Sequence, residues 1–327
     1  MRRDASLLMN ESALGSAARR ATVASVAVVI LHLDATDALR ACLHSCRRMT
    51  YGRFELVVVA NGSHIPPTAA DLGAVAGRPV SVLHSPVNRG FAAGINLGIR
   101  AALSRGADYV LLLNDDTEVT ADMLDRLVAA TESDRRLGAV GPAIYYFDEP
   151  MKIWFAGATF DAATCTVQFP HADEKGELAD PLVPSEWLSG CCLLMTRTAL
   201  ERAGLLDERF FLYWEDADWG LRVRAAGFSL SVVTDAKIYH KVSVSAGGND
   251  SPRKAYHKIR SQLAFARIHT PRLLPRLLLG LARDLGWLLL KSRRPERLSR
   301  ARAYAAAVKD AALGRTGRGP NWLWGVR

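Results

Sequence analysis

The chain has 327 residues, 49% of them hydrophobic, enough for one large core plus an appendage. Its net charge of +9 hides an asymmetry: residues 252–327 carry 18 Lys and Arg against 3 Asp and Glu, while the remainder carries 24 against 30. The five cysteines (Cys42, Cys46, Cys165, Cys191, Cys192) form no paired zinc-ligand spacing, and their odd count argues against a disulfide framework and for a reducing cytoplasm.

In chain order, residues 1–21 lack an apolar run of signal-peptide length and read as a flexible tail. Val23 to Leu33 is a β-branched run ending at Asp34, and a helical pattern follows from Asp37 to Met49. Short apolar strands recur at Phe54 to Ala60, Pro79 to Leu83 and Tyr109 to Leu113, with helices predicted over Thr68 to Ala76 and Phe91 to Ser104. Apolar strands alternating with helices predict a mostly parallel α/β sheet covered on both faces. Ligands of such sheets sit at the carboxyl ends of the strands. Those ends carry His32, Asp34, Asn61, His84, Asn88, Asn114, Asp115 and Asp116.

Beyond a helix at Met123 to Ser133, strands are predicted at Ala139 to Phe147, Ile153 to Phe160 and Thr166 to Phe169, followed by a polar loop from His171 to Pro184. A strand over Trp187 to Thr196, a short helix near Thr198 to Ala203, a helix through Leu221 to Ala226, and strands at Phe228 to Thr234 and Lys237 to His240 complete the body. Leu273 to Leu290 is leucine-rich but interrupted by Arg276, Arg283 and Asp284, so it reads as an amphipathic helix, not a membrane span. Its apolar side either packs on the body or lies on a bilayer, where Arg272, Lys291, Arg293 and Arg294 would favour anionic lipid.

Chemistry concentrates in two acidic places. Phe210 to Arg222 sets Glu215, Asp216 and Asp218 among aromatic residues, where like charges raise one another's pKa. Leu113-Asn114-Asp115-Asp116-Thr117 ends an apolar strand in carboxylates, suited either to Mg²⁺ or to an Asx turn that caps the next helix. Asp218 and Arg222 are expected to form an ordinary exposed pair, whereas Asp216, between Trp214 and Trp219, could take a proton from a hydroxyl. In Asn88-Arg89-Gly90-Phe91-Ala92-Ala93-Gly94-Ile95-Asn96-Leu97-Gly98 the glycines either allow helix to pack on sheet or open a helix start toward an anion. His240, after an apolar strand, could be a satisfied core histidine.

Taken in order, Val58-Val59-Ala60-Asn61-Gly62-Ser63, Asn88-Arg89-Gly90-Phe91, Leu113-Asn114-Asp115-Asp116-Thr117, Trp187-Leu188-Ser189-Gly190, Trp214-Glu215-Asp216-Ala217-Asp218 and Tyr239-His240 resemble the family-two inverting nucleotide-sugar glycosyltransferases, in their rhamnosyltransferase-like branch. The resemblance spans about residues 23–245. It implies a GT-A fold, a Rossmann-like mixed and mostly parallel sheet flanked by helices, over residues 22–250, with 251–327 as a basic helical extension. It implies that His32, Asp34, Asn61, Asn88, Arg89, Gly94, Asn96, Asn114 and Asp115 approach a dTDP- or UDP-sugar. Asp116 and His240 would hold a divalent metal, Mg²⁺ or Mn²⁺. Asp216 would be the general base, with Trp187, Glu215 and Asp218 near the acceptor. Ala60 stands where the family often has Asp, which puts more of the base reading on Asn61, and Leu33 replaces a usual aromatic.

The implied reaction is sugar transfer, with rhamnose as a candidate sugar, to a hydroxyl of a glycan or lipid-linked acceptor in cell-surface polysaccharide synthesis, at the inner membrane face. A nucleic-acid-binding tail lacks interleaved stacking aromatics and is opposed by the acidic body, so no nucleic acid is expected. A binding-only relative is disfavoured by the intact Asp116, Asp216 and His240 set. A nucleotidyltransferase would need a basic Gly-rich loop where Asp34-Ala35-Thr36 stands.

Overall fold

A computed structural model describes residues 23–325 except 35, 162, 165, 242–250 and 291–295. The expected tail at 1–21, the basic residues Lys291, Arg293 and Arg294, and the end of the resemblance at 242–245 lie outside the described residues. The first half alternates strand and helix: β1 (Val26–His32), α1 (Thr36–Cys46), β2 (Phe54–Asn61), α2 (Ala69–Ala76), β3 (Val80–Ser85), α3 (Phe91–Ser104), β4 (Tyr109–Asn114), β5 (Thr117–Val119) and α4 (Met123–Ser133). Then come β6 (Leu137–Tyr146), β7 (Ile153–Phe155), β8 (Thr159–Asp161), β9 (Thr166–Gln168), β10 (Leu182–Ser185), β11 (Cys192–Thr196), α5 (Arg197–Ala203), α6 (Glu215–Ala225) and β12 (Ser229–His240). Three further helices follow: α7 (Pro252–His269), α8 (Leu274–Leu290) and α9 (Arg297–Ala312).

The main sheet has the strand order β10-β12-β6-β11-β4-β1-β2-β3, with β5 on β12 and β7 on β6. β3, β2, β1 and β4 are parallel neighbours, which is why their residues form unbroken apolar runs: both faces are covered, and Val28, Val29, Leu56, Val57, Leu111 and Leu112 are fully buried. β11 runs antiparallel between β4 and β6, so the sheet changes direction beside β4. The chain order also reverses there, at the β1–β4 switch, where open α/β sheets have their ligand crevice, beyond the carboxyl ends of the strands.

Close approach of α3 to this sheet explains its bare stripe. A Cβ on Gly98 would sit 2.2 Å from Val29 Cγ1, and one on Gly94 would sit 2.6 Å from Leu31 Cδ1. Helix-on-sheet packing accounts for both glycines, the packing alternative that the sequence left open.

Several boundaries differ from expectation for definable reasons. The Pro184-bearing stretch read as loop contains β10, an edge strand, where proline is tolerated. The strand expected from Trp187 begins only at Cys192, leaving 187–191 free to turn into the site. The two final strands are one, β12, with a register irregularity between Val233 and Lys237 against β6. Among the described residues no helix is long and apolar enough to cross a membrane.

Candidate active site

β4 delivers its acidic end into the crevice. Asp115 is buried against His32, whose Nδ1 lies 2.9 Å from Asp115 Oδ2. Burial raises the Asp115 pKa, and the His32 contact opposes that rise. Together they form a buried brace between β1 and β4.

Asp116 is different. Its Oδ1 is buried and has no hydrogen-bond partner among the described residues, yet it lies 3.3 Å from His240 Nε2. His240 ends β12, paired to Thr117 of β5, so a three-residue strand fixes the two side chains together. Trp154 seals the histidine edge-on at 4.6 Å between ring centroids.

The Gly190–Cys191 segment ties this end of β4 to α6. The Asn114 N–H donates to Cys191 O at 2.9 Å, and the Gly190 N–H donates to Asp216 Oδ2 at 3.0 Å. Cys191 is buried, and its thiol pKa is pushed up by burial and then by Asp116, Cys192 and Asp216. Asp216 therefore bonds this short stretch of chain, and Asp116 lies near enough for its charge to act on it. Burial lifts the Asp216 pKa to about 6, even though its carboxylate accepts the N–H groups of Gly190 and Ala217. Neighbouring Glu215 is buried with Oε2 unpartnered among the described residues, and burial plus the Asp216 charge raise its pKa well above the usual range.

The chain enters α6 through a strained turn. Tyr213 and Trp214 have φ of +69° and +72°, a left-handed conformation that bulky residues rarely adopt and that concentrates at functional sites. The sequence signal, two aromatics before the carboxylates, carries no mark of that strain.

Other expected site residues have different occupations. Asp218 is buried, not an exposed partner: Arg222 Nε donates to Oδ2 at 2.8 Å, and His269 Nε2 lies 2.8 Å from Oδ1. With both oxygens engaged it is a structural node, which corrects the expectation of an exposed pair. Asn96 is also engaged internally, its amide bonded to Leu206 O, Glu208 and the Leu206 N–H, so it anchors the loop after α5. Asn61 accepts the Arg89 N–H and donates to Gly90 O and Asn88, bracing the loop into α3. The Arg89 side chain is exposed. Asp34, at φ +57°, holds the His64 N–H and ring at the crevice edge. Trp187 packs against Gly220 and the rings of Phe155 and Phe169, with Nε1 unpartnered among the described residues.

The donor set suits a hard divalent cation that completes its shell with phosphate oxygens: one buried carboxylate oxygen lacking a donor, one imidazole beside it. Among the described residues no group of three or more such ligands occurs, so the protein alone would not cage the ion.

A family model, glycosyl transferase family 2, matches residues 27–203, more than half of the chain. The chain belongs to glycosyl transferase family 2. It is therefore a glycosyltransferase. An uncharacterised protein, y4gI of Sinorhizobium fredii, is 33% identical over 240 residues, 70% of this chain but only 26% of that protein, so this chain spans about a quarter of its length. An N-acetylglucosaminyl-diphospho-decaprenol L-rhamnosyltransferase of Mycobacterium tuberculosis is 28% identical over 267 residues, covering 65% of this chain and 83% of the relative. Among solved structures, GalNAc-T7 with UDP, GalNAc and Mn²⁺ superposes with a TM-score of 0.58 at 16% identity, over 74% of this chain and 48% of that one, a likeness of fold.

The raised Glu215 pKa has a defined sign. The folded state holds this proton more tightly than the unfolded chain, so ionisation destabilises the fold as pH rises from about 4.3 through the raised folded value. Glu215→Gln should raise the thermal midpoint at pH 8 and change it little at pH 5. A lower midpoint at pH 8 would show that the Glu215 charge is compensated.

Proposed function

We propose that the chain transfers a sugar of the rhamnose type, with inversion, from a dTDP- or UDP-linked donor to a hydroxyl of a glycan or lipid-linked acceptor in cell-surface polysaccharide synthesis. The observation that carries this reading is the buried Asp116 Oδ1, beside His240 and without a hydrogen-bond partner among the described residues, at the end of the strand whose Asn114 is tied through Gly190–Cys191 to Asp216. The named activity of the mycobacterial relative supports the choice of sugar and acceptor. Residues 22–250 then form the transferase domain and 251–327 a basic extension.

Donor diphosphate would sit at the end of β4, with the nucleoside along the β1 and β2 ends near Asp34 and the loop braced by Asn61 and Asn88. Asp116 and His240 would hold a divalent cation, Mg²⁺ or Mn²⁺, which when bound neutralises charge on the leaving diphosphate. Asp216 takes the proton of the acceptor hydroxyl while that oxygen attacks the anomeric carbon from the face opposite the diphosphate. The bond from the anomeric carbon to the phosphate oxygen breaks as the new one forms, the nucleoside diphosphate departs with the electron pair, and configuration inverts through an oxocarbenium-like transition state. A pKa near 6 keeps Asp216 ionised at neutral pH yet basic enough to accept the proton. Trp187 and the ring cluster beside it offer an apolar shelf for the acceptor sugar.

Extension helix α8 supports a peripheral site at the inner, cytoplasmic membrane face. Leu274, Leu277 and Leu281 pack inward, while Leu279, Trp287 and Leu290 are exposed beside Arg276 and Arg283. Exposed aromatic and leucine side chains among arginines suit the headgroup boundary of an anionic bilayer.

Asp216→Asn should keep donor binding in a thermal-shift screen of dTDP- and UDP-sugars and lose at least about 10²-fold in kcat; full turnover in that variant removes Asp216 from the role. Wild-type protein should float with phosphatidylglycerol-containing vesicles but not with pure phosphatidylcholine ones, and Leu279→Glu/Leu290→Glu should abolish flotation. Equal behaviour of both proteins on both vesicles would leave α8 a purely structural helix.

A further inference from the structure

Helix α7 lies beyond the family-matched residues and immediately follows the undescribed stretch after Lys241. Its residues Lys254, His257, Ser261, Phe265 and His269 are spaced by three, four, four and four positions and so share one face. Along that face they meet the acidic segment in sequence order. The His257 ring stacks on Phe211 at 4.9 Å between centroids and 15° between planes. The Ser261 hydroxyl donates to Leu212 O at 2.9 Å. Phe265 lies against Trp214 at 4.7 Å, and His269 reaches Asp218 at 2.8 Å. Lys254, at the start of the face, is buried and feels the charge of Asp116.

The two left-handed aromatics sit inside this row of contacts. A conformation of that kind persists only when its surroundings over-determine it. Here the surroundings are α7: Ser261 holds the carbonyl just before Tyr213, and Phe265 holds the Trp214 ring. His257 is buried, and burial followed by Arg260 and Arg253 lowers its pKa to about 3, so it stacks on Phe211 as a neutral ring at any working pH.

We propose that α7 is a splint for the catalytic segment, its single face locking the left-handed turn at 213 and 214 and thereby fixing the place of Asp216. Ser261 and Phe265 are positioning residues, since neither touches the reacting atoms. This rests on Asp216 being the general base.

Ser261→Ala and Phe265→Ala each loosen the turn without altering a charge. Both should lower kcat about tenfold or more, because small misplacements of a catalytic group are felt strongly in rate, while donor KM stays within about twofold. A loosened turn also admits water to Asp216, so the acidic limb of the rate profile, near pH 6 in the wild type, should move to lower pH. Phe265→Leu, which keeps most of the buried volume, should restore most of the activity. A merely structural helix would lower the folded fraction, scale the rate with it and leave the limb in place. Should Ser261→Ala, folded by circular dichroism, keep wild-type kcat and pH profile while Asp216→Asn is inactive, the splint is overturned and the base assignment stands. If Asp216→Asn is itself active, the base assignment fails instead.

Discussion

A carboxylate oxygen buried without a donor is among the most costly groups a fold can carry, because it gives up hydration and receives nothing in return. Asp116 Oδ1 has no such donor among the described residues, with the His240 imidazole 3.3 Å away and the charge of buried Lys254 within reach. Glu215 adds a second carboxyl oxygen without a partner among the described residues, next to buried Asp216. The rest of the architecture gathers these acidic groups at the carboxyl end of β4 and the start of α6.

The means are covalent shortness and strand pairing. β5 is only three residues long, yet it fastens Asp116 to the strand that ends in His240. The Gly190–Cys191 segment does the same between β4 and α6, accepting the Asn114 N–H at Cys191 O and donating the Gly190 N–H to the Asp216 carboxylate. The left-handed turn at Tyr213 and Trp214 then aims α6, with Arg222 clamping Asp218 and the carbonyls of Ala203 and Leu205 from behind. Strain at the turn and buried charge at the strand end are both local losses, offset by the extensive apolar core of the sheet.

Much of this was legible in the sequence. The parallel half of the sheet announces itself because strands covered on both faces need continuous β-branched and leucine runs, and the acidic strand end marks the crevice. The resemblance added the GT-A form of that α/β sheet and the family, both of which the structure and the family match support. What escaped has physical reasons. Asn96 and Asp218 look like ligand-facing polar residues, but their partners, Leu206, Glu208 and His269, are more than fifty positions away or on another helix. Gly94 packs closely on the sheet, and close packing and ligand approach are two uses of a missing side chain that a sequence does not distinguish. β5 hides inside what reads as a turn, and the face of α7 is too mixed in charge to show a hydrophobic period.

The central claim is that Asp116 holds nucleoside diphosphate through a divalent cation. Calorimetric titration of dTDP and UDP, with and without Mn²⁺, into wild type and Asp116→Ala tests it directly. The account predicts binding that requires Mn²⁺ in the wild type and disappears in the variant. Equal binding by both proteins, or binding indifferent to Mn²⁺, would contradict it.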